Sequence, residues 1–446
     1  MFYKSAQGCR IRRYRGAVAH LLVTAMPFAG HVRPMTAIAG ALLEQGHRVT
    51  AYTGGQYADA FDHLGCDVVQ WRDAQDFDER AIAETFPRVG LPGMRGTFAN
   101  LLDLFIGTAR GQVDDILAAH ERRPFDALVG DVMAIGTGLA AERLQLPWAT
   151  VSLVPLTMPS RDLPPQGLAL RPGQHGVGRL RDALLRSLVP AMSTSVERAY
   201  RTARAQVGLG AGRRFSEALY SPQLVIATGS PSLEYPRSDL PASVEFVGFL
   251  QPRAASLGLR PLWAETLVDE PRPVVFVTQG TFESNPENLL VPTLDGLAHD
   301  PVRVIGTTAG EPFGWHLPAN ARLVDFVPFS AVVPRASVGV TNGGWGGVLE
   351  MLSMGVPLVV AGGMLDKPEI AARVAWSGAG IDLRTARPRP IRVRNAVRRV
   401  IREPEFRERA RAIAAEFEAL GGEARAAQLI ETLLMPVPPA AAASGR

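Results

Sequence analysis

A histidine, an aspartate and two glycine-rich turns are the features of this chain whose residue types and placement imply chemistry. In Pro27-Phe28-Ala29-Gly30-His31-Val32-Arg33-Pro34 an imidazole follows the apolar run Leu21 to Val23 and precedes a helical stripe. An imidazole exchanges its proton near neutral pH, so His31 suits a general base; alone, it would equally suit a loop residue that caps the helix. Asp131 closes another apolar run, Ala127 to Gly130. A carboxylate there can hold the Nδ1 proton of His31 and raise the basicity of Nε2, or it can cap the helix that follows, and the pattern alone fits both. The third cluster, Thr341-Asn342-Gly343-Gly344-Trp345-Gly346-Gly347, leads into a helix carrying Glu350. Glycines admit close backbone approach, and a helix N-terminus offers free N–H groups and partial positive charge, for which a diphosphate is the natural ligand. One glycine-rich turn is weak evidence by itself, but Thr278-Gln279-Gly280-Thr281 supplies a second hydroxyl and more open backbone.

The elements that must position these groups read as alternating strands and helices. From His20 to Tyr52 the order is an apolar run, a Gly/Pro loop, a helical stripe of Met35, Ile38, Ala39, Leu42 and Leu43, then Gly46 and the run Val49 to Ala51. The stripe has helical spacing, and Gly46 suits the helix end. The rhythm repeats at Ala127 to Val129, Thr137 to Leu144 and Ala149 to Leu153, which predicts a parallel sheet covered on both faces. It restarts after Pro273, with strand candidates at Val274–Thr278, Val302–Gly306, Leu323–Val327, Val338–Thr341, Pro357–Val360 and Gly380–Leu383. In such sheets ligands bind beyond the carboxyl ends of the strands, where all the clusters above lie. We therefore expect an α/β chain of two facing Rossmann-like domains, with bounds 17–250 and 273–404, a Pro-punctuated linker over 251–272, and C-terminal helices over 405–435. The late stripe Phe406, Ala410, Ile413, Phe417 and Leu420 is expected to pack back on the first domain. Pro155 to Gly212 reads as a loose cover over a pocket, and Pro436 to Arg446 as a disordered tail.

Bulk properties narrow the function. A chain of 446 residues, 47% hydrophobic, is too long for one ordinary core. A formal charge of +4 is small for that length, and no basic run is interleaved with aromatics, which argues against nucleic acid as a partner. The cluster Arg392 to Arg402 carries Val393, Val397 and Ile401 at helical spacing and reads as a solvated helix face. Cys9 and Cys66 are too few for a disulfide framework or thiolate metal site and fit a reducing cytoplasm. Arg10, Arg12, Arg13 and Arg15 before the apolar run Ala17 to Ala29 resemble a secretory signal, but no small-x-small cleavage site follows, so a buried first strand is expected. No stretch of about 20 apolar residues predicts a membrane span. Asp76-Phe77-Asp78 has the spacing of a divalent-metal motif yet lies in a charged segment that solvation explains; histidines 47, 63, 120, 175, 299 and 316 lack metal-ligand spacing. No metal or cofactor is expected.

The stretch Thr341 to Gly380, with Asn342-Gly343-Gly344-Trp345, Glu350, Gly355-Val356-Pro357, Asp366-Lys367-Pro368 and Gly378-x-Gly380, resembles the donor-binding signature of family 1 glycosyltransferases. Gly30-His31-x-x-Pro34 and Gly46-His47-x-Val49 resemble that family's N-terminal pattern. The resemblance implies a GT-B architecture and transfer of a sugar from a nucleotide diphosphate to a hydroxyl of a small acceptor. It implies His31 as base, Asp131 as its partner, and a donor site including Asn342 and Gly344. In that site Thr281, Gly346 and Gly347 face the diphosphate, and Phe326 and Val327 hold the nucleobase by stacking and main-chain contact. Glu350 binds the ribose hydroxyls, and Asp366 with Lys367 meets the sugar. Two departures stand out: Asn342 replaces the family's usual histidine and Lys367 its usual glutamine.

With one other lysine in the chain, Lys4, Lys367 is a specific choice of cation, although an exposed helix-start residue pairing with Glu369 is the plainer account. Glu350 favours UDP over dTDP and Asp366 favours a hexose, so UDP-glucose is the expected co-substrate. Met94, Phe98, Met133 and Met158 are acceptor-site candidates; with Phe105 they equally suit the core. A monomer or homodimer is expected. A nucleotide-sugar epimerase of the same architecture would need acid/base groups around the sugar itself, and a non-catalytic partner of a transferase would not need both His31 and Asp131.

Overall fold

The computed structural model describes residues 18–91, 93–251, 262–268, 270–280, 285–310, 313–363 and 365–435. Among them, thirteen strands form two wholly parallel sheets. The first holds β1 (His20–Thr24), β2 (Arg48–Thr53), β3 (Asp67–Gln70), β4 (Ala127–Asp131), β5 (Trp148–Ser152), β6 (Leu224–Thr228) and β7 (Val244–Gly248), in the order β3-β2-β1-β4-β5-β6-β7. The second holds β8 (Val274–Thr278), β9 (Arg303–Thr307), β10 (Ala321–Val324), β11 (Ala336–Thr341), β12 (Leu358–Val360) and β13 (Gly380–Asp382), in the order β10-β9-β8-β11-β12-β13. β1 and β4 are buried along their whole length because both sheet faces are covered, which is why their sequences are continuous apolar runs.

Strand order reverses between β1 and β4 in the first sheet and between β8 and β11 in the second. These are the switch points where neighbouring loops diverge and leave a crevice for ligand. His31 follows β1 and Asp131 ends β4; Gln279-Gly280 follows β8 and Asn342 to Gly347 follows β11. His31, Asp131 and the two glycine-rich turns therefore flank the switch points.

The helices that carry or support the site are α1 (Ala29–Glu44), α2 (Ile135–Leu144), α3 (Trp345–Ser353), α4 (Lys367–Ser377), α5 (Pro404–Leu420) and α6 (Gly422–Thr432). Val32, Met35, Ile38, Ala39 and Leu42 of α1 are buried against the first sheet, and the chain turns at Gly46, whose φ of +89° favours glycine. The late apolar stripe serves both sheets: α5 lies against β7 of the first, where the Phe417 backbone closes on Gly248. Ala410, Ile413 and Phe417 of α5 sit in the second sheet's core with Trp345, Leu349 and Phe276. The chain then bends at Gly421, φ +84°, and α6 places Ala426, Ala427, Leu429 and Ile430 in the first sheet's core with Ile38 and Leu42. α6 completes the crossing back; each fully buried Leu or Ile there contributes about 1.5–3 kcal/mol relative to exposure.

Pro155 to Gly212 contains the helices Gly176–Met192 and Thr194–Gln206. Half of the predicted linker, the basic N-terminal segment and the C-terminal tail lie outside the described residues.

Candidate active site

His31 is the third residue of α1, so it lies in the helix's first turn and not in the preceding loop. Its Nδ1 is 2.7 Å from Asp131 Oδ2, and 17% of its side-chain surface is open. Asp131 is buried and takes two further donors, the Met26 N–H at 3.0 Å and the Met133 N–H at 2.9 Å. It therefore both supports the turn ahead of α2 and holds the histidine. A carboxylate against Nδ1 places the proton there and leaves the Nε2 lone pair available. Burial pulls the imidazole pKa down, but the charge and hydrogen bond of Asp131 outweigh it, Asp366 and Glu79 add to them, and the net shift is upward. Glu79, which the sequence reading passed over, is buried and accepts the Ala29 N–H at 2.7 Å, satisfying a free donor at the start of α1.

On the second sheet, Asn342 is buried and its amide donates to the Gln279 carbonyl, joining the two loops of that switch point. Gly343 has φ +90°, and a Cβ there would lie 3.0 Å from the Val360 side chain and 3.3 Å from the Lys367 carbonyl, so both backbone and space demand glycine. Gly344 is the N-cap of α3. No heavy atom beyond its own neighbourhood lies within 4 Å of where a Gly346 Cβ would be; at Gly347 the nearest is the Phe329 ring, at 3.8 Å. The first turn of α3, with its unpaired N–H groups, is thus bare and can receive an anion. Thr281 lies outside the described residues. Phe326 is 73% exposed, while the Val327 side chain belongs to the core, so only its main chain is available to a ligand.

Three of the relationships that bridge the sheets involve candidate site residues or their neighbours. Trp345 Nε1 donates to Thr228 Oγ1 at 2.9 Å, and Gly229, φ +89°, admits the indole because a Cβ there would come within 3.0 Å of it. Arg33 Nη2 of α1 lies 3.9 Å from Glu350 Oε2 of α3. Burial raises the Glu350 pKa, with Arg33 opposing. Asp366, at the N-cap position of α4 but making no side-chain capping bond, lies close enough to His31 for each to shift the other; burial raises its carboxyl pKa, against its own backbone hydrogen bond, Lys367, His31 and Arg373. The catalytic candidates of one sheet and the sugar-site candidates of the other therefore share one crevice. Lys367, the first residue of α4, is buried, which sets aside the exposed helix-start account.

Phe98, Met133 and Met158 are half-buried and pack on the edges of the first sheet's cores; Met94 lies in the helix Gly93–Ala99. Asp76 and Asp78 hold turns: Asp76 accepts the Gly55 and Phe77 N–H groups at 2.7 and 2.9 Å, and Asp78 accepts that of Arg80 at 2.8 Å. Among the described residues no group of three His, Cys, Asp or Glu side chains is arranged to hold a metal ion, and no helix is long and apolar enough to cross a membrane.

Comparison with known proteins agrees with this geometry. Residues 296–433 match the family described as Erythromycin biosynthesis protein CIII-like, C-terminal domain. The chain is 39% identical to the 4'-demethylrebeccamycin synthase of Lentzea aerocolonigenes over 422 residues, covering 93% of this chain and 100% of that protein. It is 30% identical to UDP-glucosyltransferase B1 of Starmerella bombicola over 433 residues, covering 89% and 94%. The solved glycotransferase of kitacinnamycin superposes with a TM-score of 0.71 at 25% identity, covering 94% of this chain and 100% of that one. The calicheamicin glycosyltransferase CalG4 has the same fold, with a TM-score of 0.69 at 23% identity over 94% and 99%. A relative 39% identical along its entire length, together with solved glycosyltransferases of the same fold, settles the assignment: this chain is an enzyme of the family 1 glycosyltransferases, with the GT-B fold.

Proposed function

We propose that the enzyme transfers glucose from UDP-glucose to a hydroxyl of an apolar natural-product acceptor, with inversion at the anomeric carbon and with His31 as base. The observation that carries this is the 2.7 Å contact of His31 Nδ1 with Asp131, at the first sheet's switch point and two residues from Arg33, which reaches Glu350 of the second. The acceptor O–H gives its proton to His31 Nε2 as the oxygen attacks the anomeric carbon. The bond from that carbon to the diphosphate oxygen breaks, and the diphosphate leaves with the electron pair toward the first turn of α3. Holding both substrates in one crevice supplies the orientation that a bimolecular step in water lacks, and closing the sheets excludes water as a competing acceptor.

Asp366 and Lys367 meet the sugar hydroxyls, Glu350 the ribose and Phe326 the nucleobase. The half-buried Phe98, Met133 and Met158 line the acceptor side. The donor class is supported by relatives named as UDP-glucosyltransferases, and the acceptor class by a relative named for 4'-demethylrebeccamycin. The leaving group is stabilised by backbone N–H groups in place of a metal, and the carboxylates of Asp76 and Asp78 are committed to turns. Screening purified protein with UDP- and dTDP-sugars against phenolic and macrolide acceptors, with and without EDTA, tests the reading. Transfer from UDP-glucose that survives EDTA is expected. Transfer only from dTDP-sugars would overturn the donor assignment, and loss on chelation restored by Mn²⁺ or Mg²⁺ would overturn the metal-free one.

A further inference from the structure

A buried chain of alternating charge joins the two sheets beside the crevice. Arg373 of α4 is fully buried. Its Nε donates to Glu234 Oε1 at 2.9 Å and its Nη1 to Glu369 Oε2 at 2.9 Å, while the Tyr235 ring lies 4.8 Å from the guanidinium. Glu234, in the segment after β6, also accepts from Arg237 at 3.0 Å, which completes the series Arg237, Glu234, Arg373, Glu369. Positive and negative charges balance within it, so burial leaves no member uncompensated.

What this series holds is one stretch of backbone. The chain leaving the carboxyl end of β5 is tied at Leu156, whose N–H reaches Glu234 Oε1 at 3.3 Å, and Arg237 donates to the carbonyls of Leu156 and Met158 at 3.3 Å each. Further along the same stretch, Glu369 Oε1 accepts both the Gly167 N–H at 2.8 Å and the Ala169 N–H at 2.9 Å, and Gln166 Oε1 accepts from Arg373 at 3.4 Å. Gly167 and Ala169 both have positive φ, +90° and +50°. For alanine that conformation is unfavourable, so the local backbone does not choose it and the carboxylate must hold it. Leu168, between the two clamped N–H groups, is 40% exposed.

We infer that Glu369, with Arg373 and Glu234, is a positioning device. It fixes the acceptor-side strap 156–169 to the helix that opens with Asp366 and Lys367, so that occupation of the sugar site and order in the strap are energetically coupled. The inference rests on the assignment of that helix to donor-sugar binding. Glu369 sits one turn along α4 from Asp366, so a shift of the helix on binding sugar is delivered directly to the strap. Neutral glutamine cannot replace it: an amide has one acceptor oxygen, which can face either the two backbone N–H groups or Arg373, and its NH₂ then opposes the other donors.

The experiment compares wild type with Glu369→Gln by amide hydrogen exchange over 156–172, with and without UDP-glucose, alongside calorimetric UDP-glucose and UDP affinities. In the wild type the Gly167 and Ala169 amides should be protected and should slow at least a further threefold with UDP-glucose. In Glu369→Gln their protection should fall about tenfold or more and the response to UDP-glucose should vanish, with UDP affinity within twofold of wild type. A Gln166→Ala variant, which removes only the 3.4 Å link, should fold normally and lose a smaller part of the response. A strap that ignores bound UDP-glucose in the wild type, or responds equally in Glu369→Gln, overturns the coupling. Failure of the wild type to bind UDP or UDP-glucose overturns the donor reading beneath it.

Discussion

His31 Nδ1 and Asp131 Oδ2 stand 2.7 Å apart across 100 residues of sequence, and the same carboxylate oxygen also accepts the Met26 N–H. The aspartate is thus fixed by backbone before it fixes the histidine. In Asp131→Asn the amide can present NH₂ to Nδ1 and favour the opposite tautomer, with its proton on Nε2, where the acceptor must bind. Transfer should fall by about 10²-fold or more, within the range for general-base catalysis.

The pH dependence follows from the same contact. Because the imidazole pKa is raised on folding, kcat/KM should climb with pH through an inflection above the ordinary value of about 6.5, where the base becomes neutral. The sign for stability is opposite to that for activity. A raised pKa means the folded state holds the proton more tightly, so the pair's stabilisation is fully present below about pH 6.5 and is lost as pH rises through the folded pKa. In Asp131→Asn the inflection of residual activity should move down, and a pH titration of both proteins checks this; an inflection in the wild type below 6.5 would contradict the assignment.

For Glu350 the test is nucleotide choice. A carboxylate that reads the ribose 2'-hydroxyl contributes a charge-assisted hydrogen bond, so Glu350→Ala should weaken UDP by about tenfold and dTDP hardly at all. Equal losses in calorimetry would confine Glu350 to its contact with Arg33, 3.9 Å away across the crevice.

Lys367 is buried at the start of α4, and its ammonium is a compact charge with rotatable donors suited to meeting sugar hydroxyls. Lys367→Gln should change preference among UDP-hexoses while UDP itself binds as before. A fall in UDP affinity with reduced salt sensitivity would move the lysine to the phosphates and make it the counterpart of the cation absent at Asn342.

The two switch points were legible because a strand end followed by a polar or glycine-rich turn needs only local pattern to recognise, and His31, Asp131 and the turn Asn342 to Gly347 all have that form. Contacts made across the crevice left no such trace. Arg373 is one arginine among many, on a helix whose other buried residues are mostly apolar, and its partner Glu234 lies 139 positions away. Trp345 read as part of a glycine-rich turn, and its bond to Thr228 depends on how the two sheets face each other. The α5 stripe was visible but its destination was not, since periodicity reports that a face is buried without saying against what. Asp76 and Asp78 show the converse: a metal-like spacing produced by two independent turn caps.

The central claim is that His31 removes the acceptor proton while the second sheet alone holds the nucleotide. His31→Ala measured for both transfer from UDP-glucose and UDP affinity tests it most directly. Transfer should fall by about 10²–10⁴-fold, the contribution of a positioned base, with UDP affinity within about twofold of wild type. Transfer near the wild-type rate, or UDP binding lost together with transfer, would contradict the account.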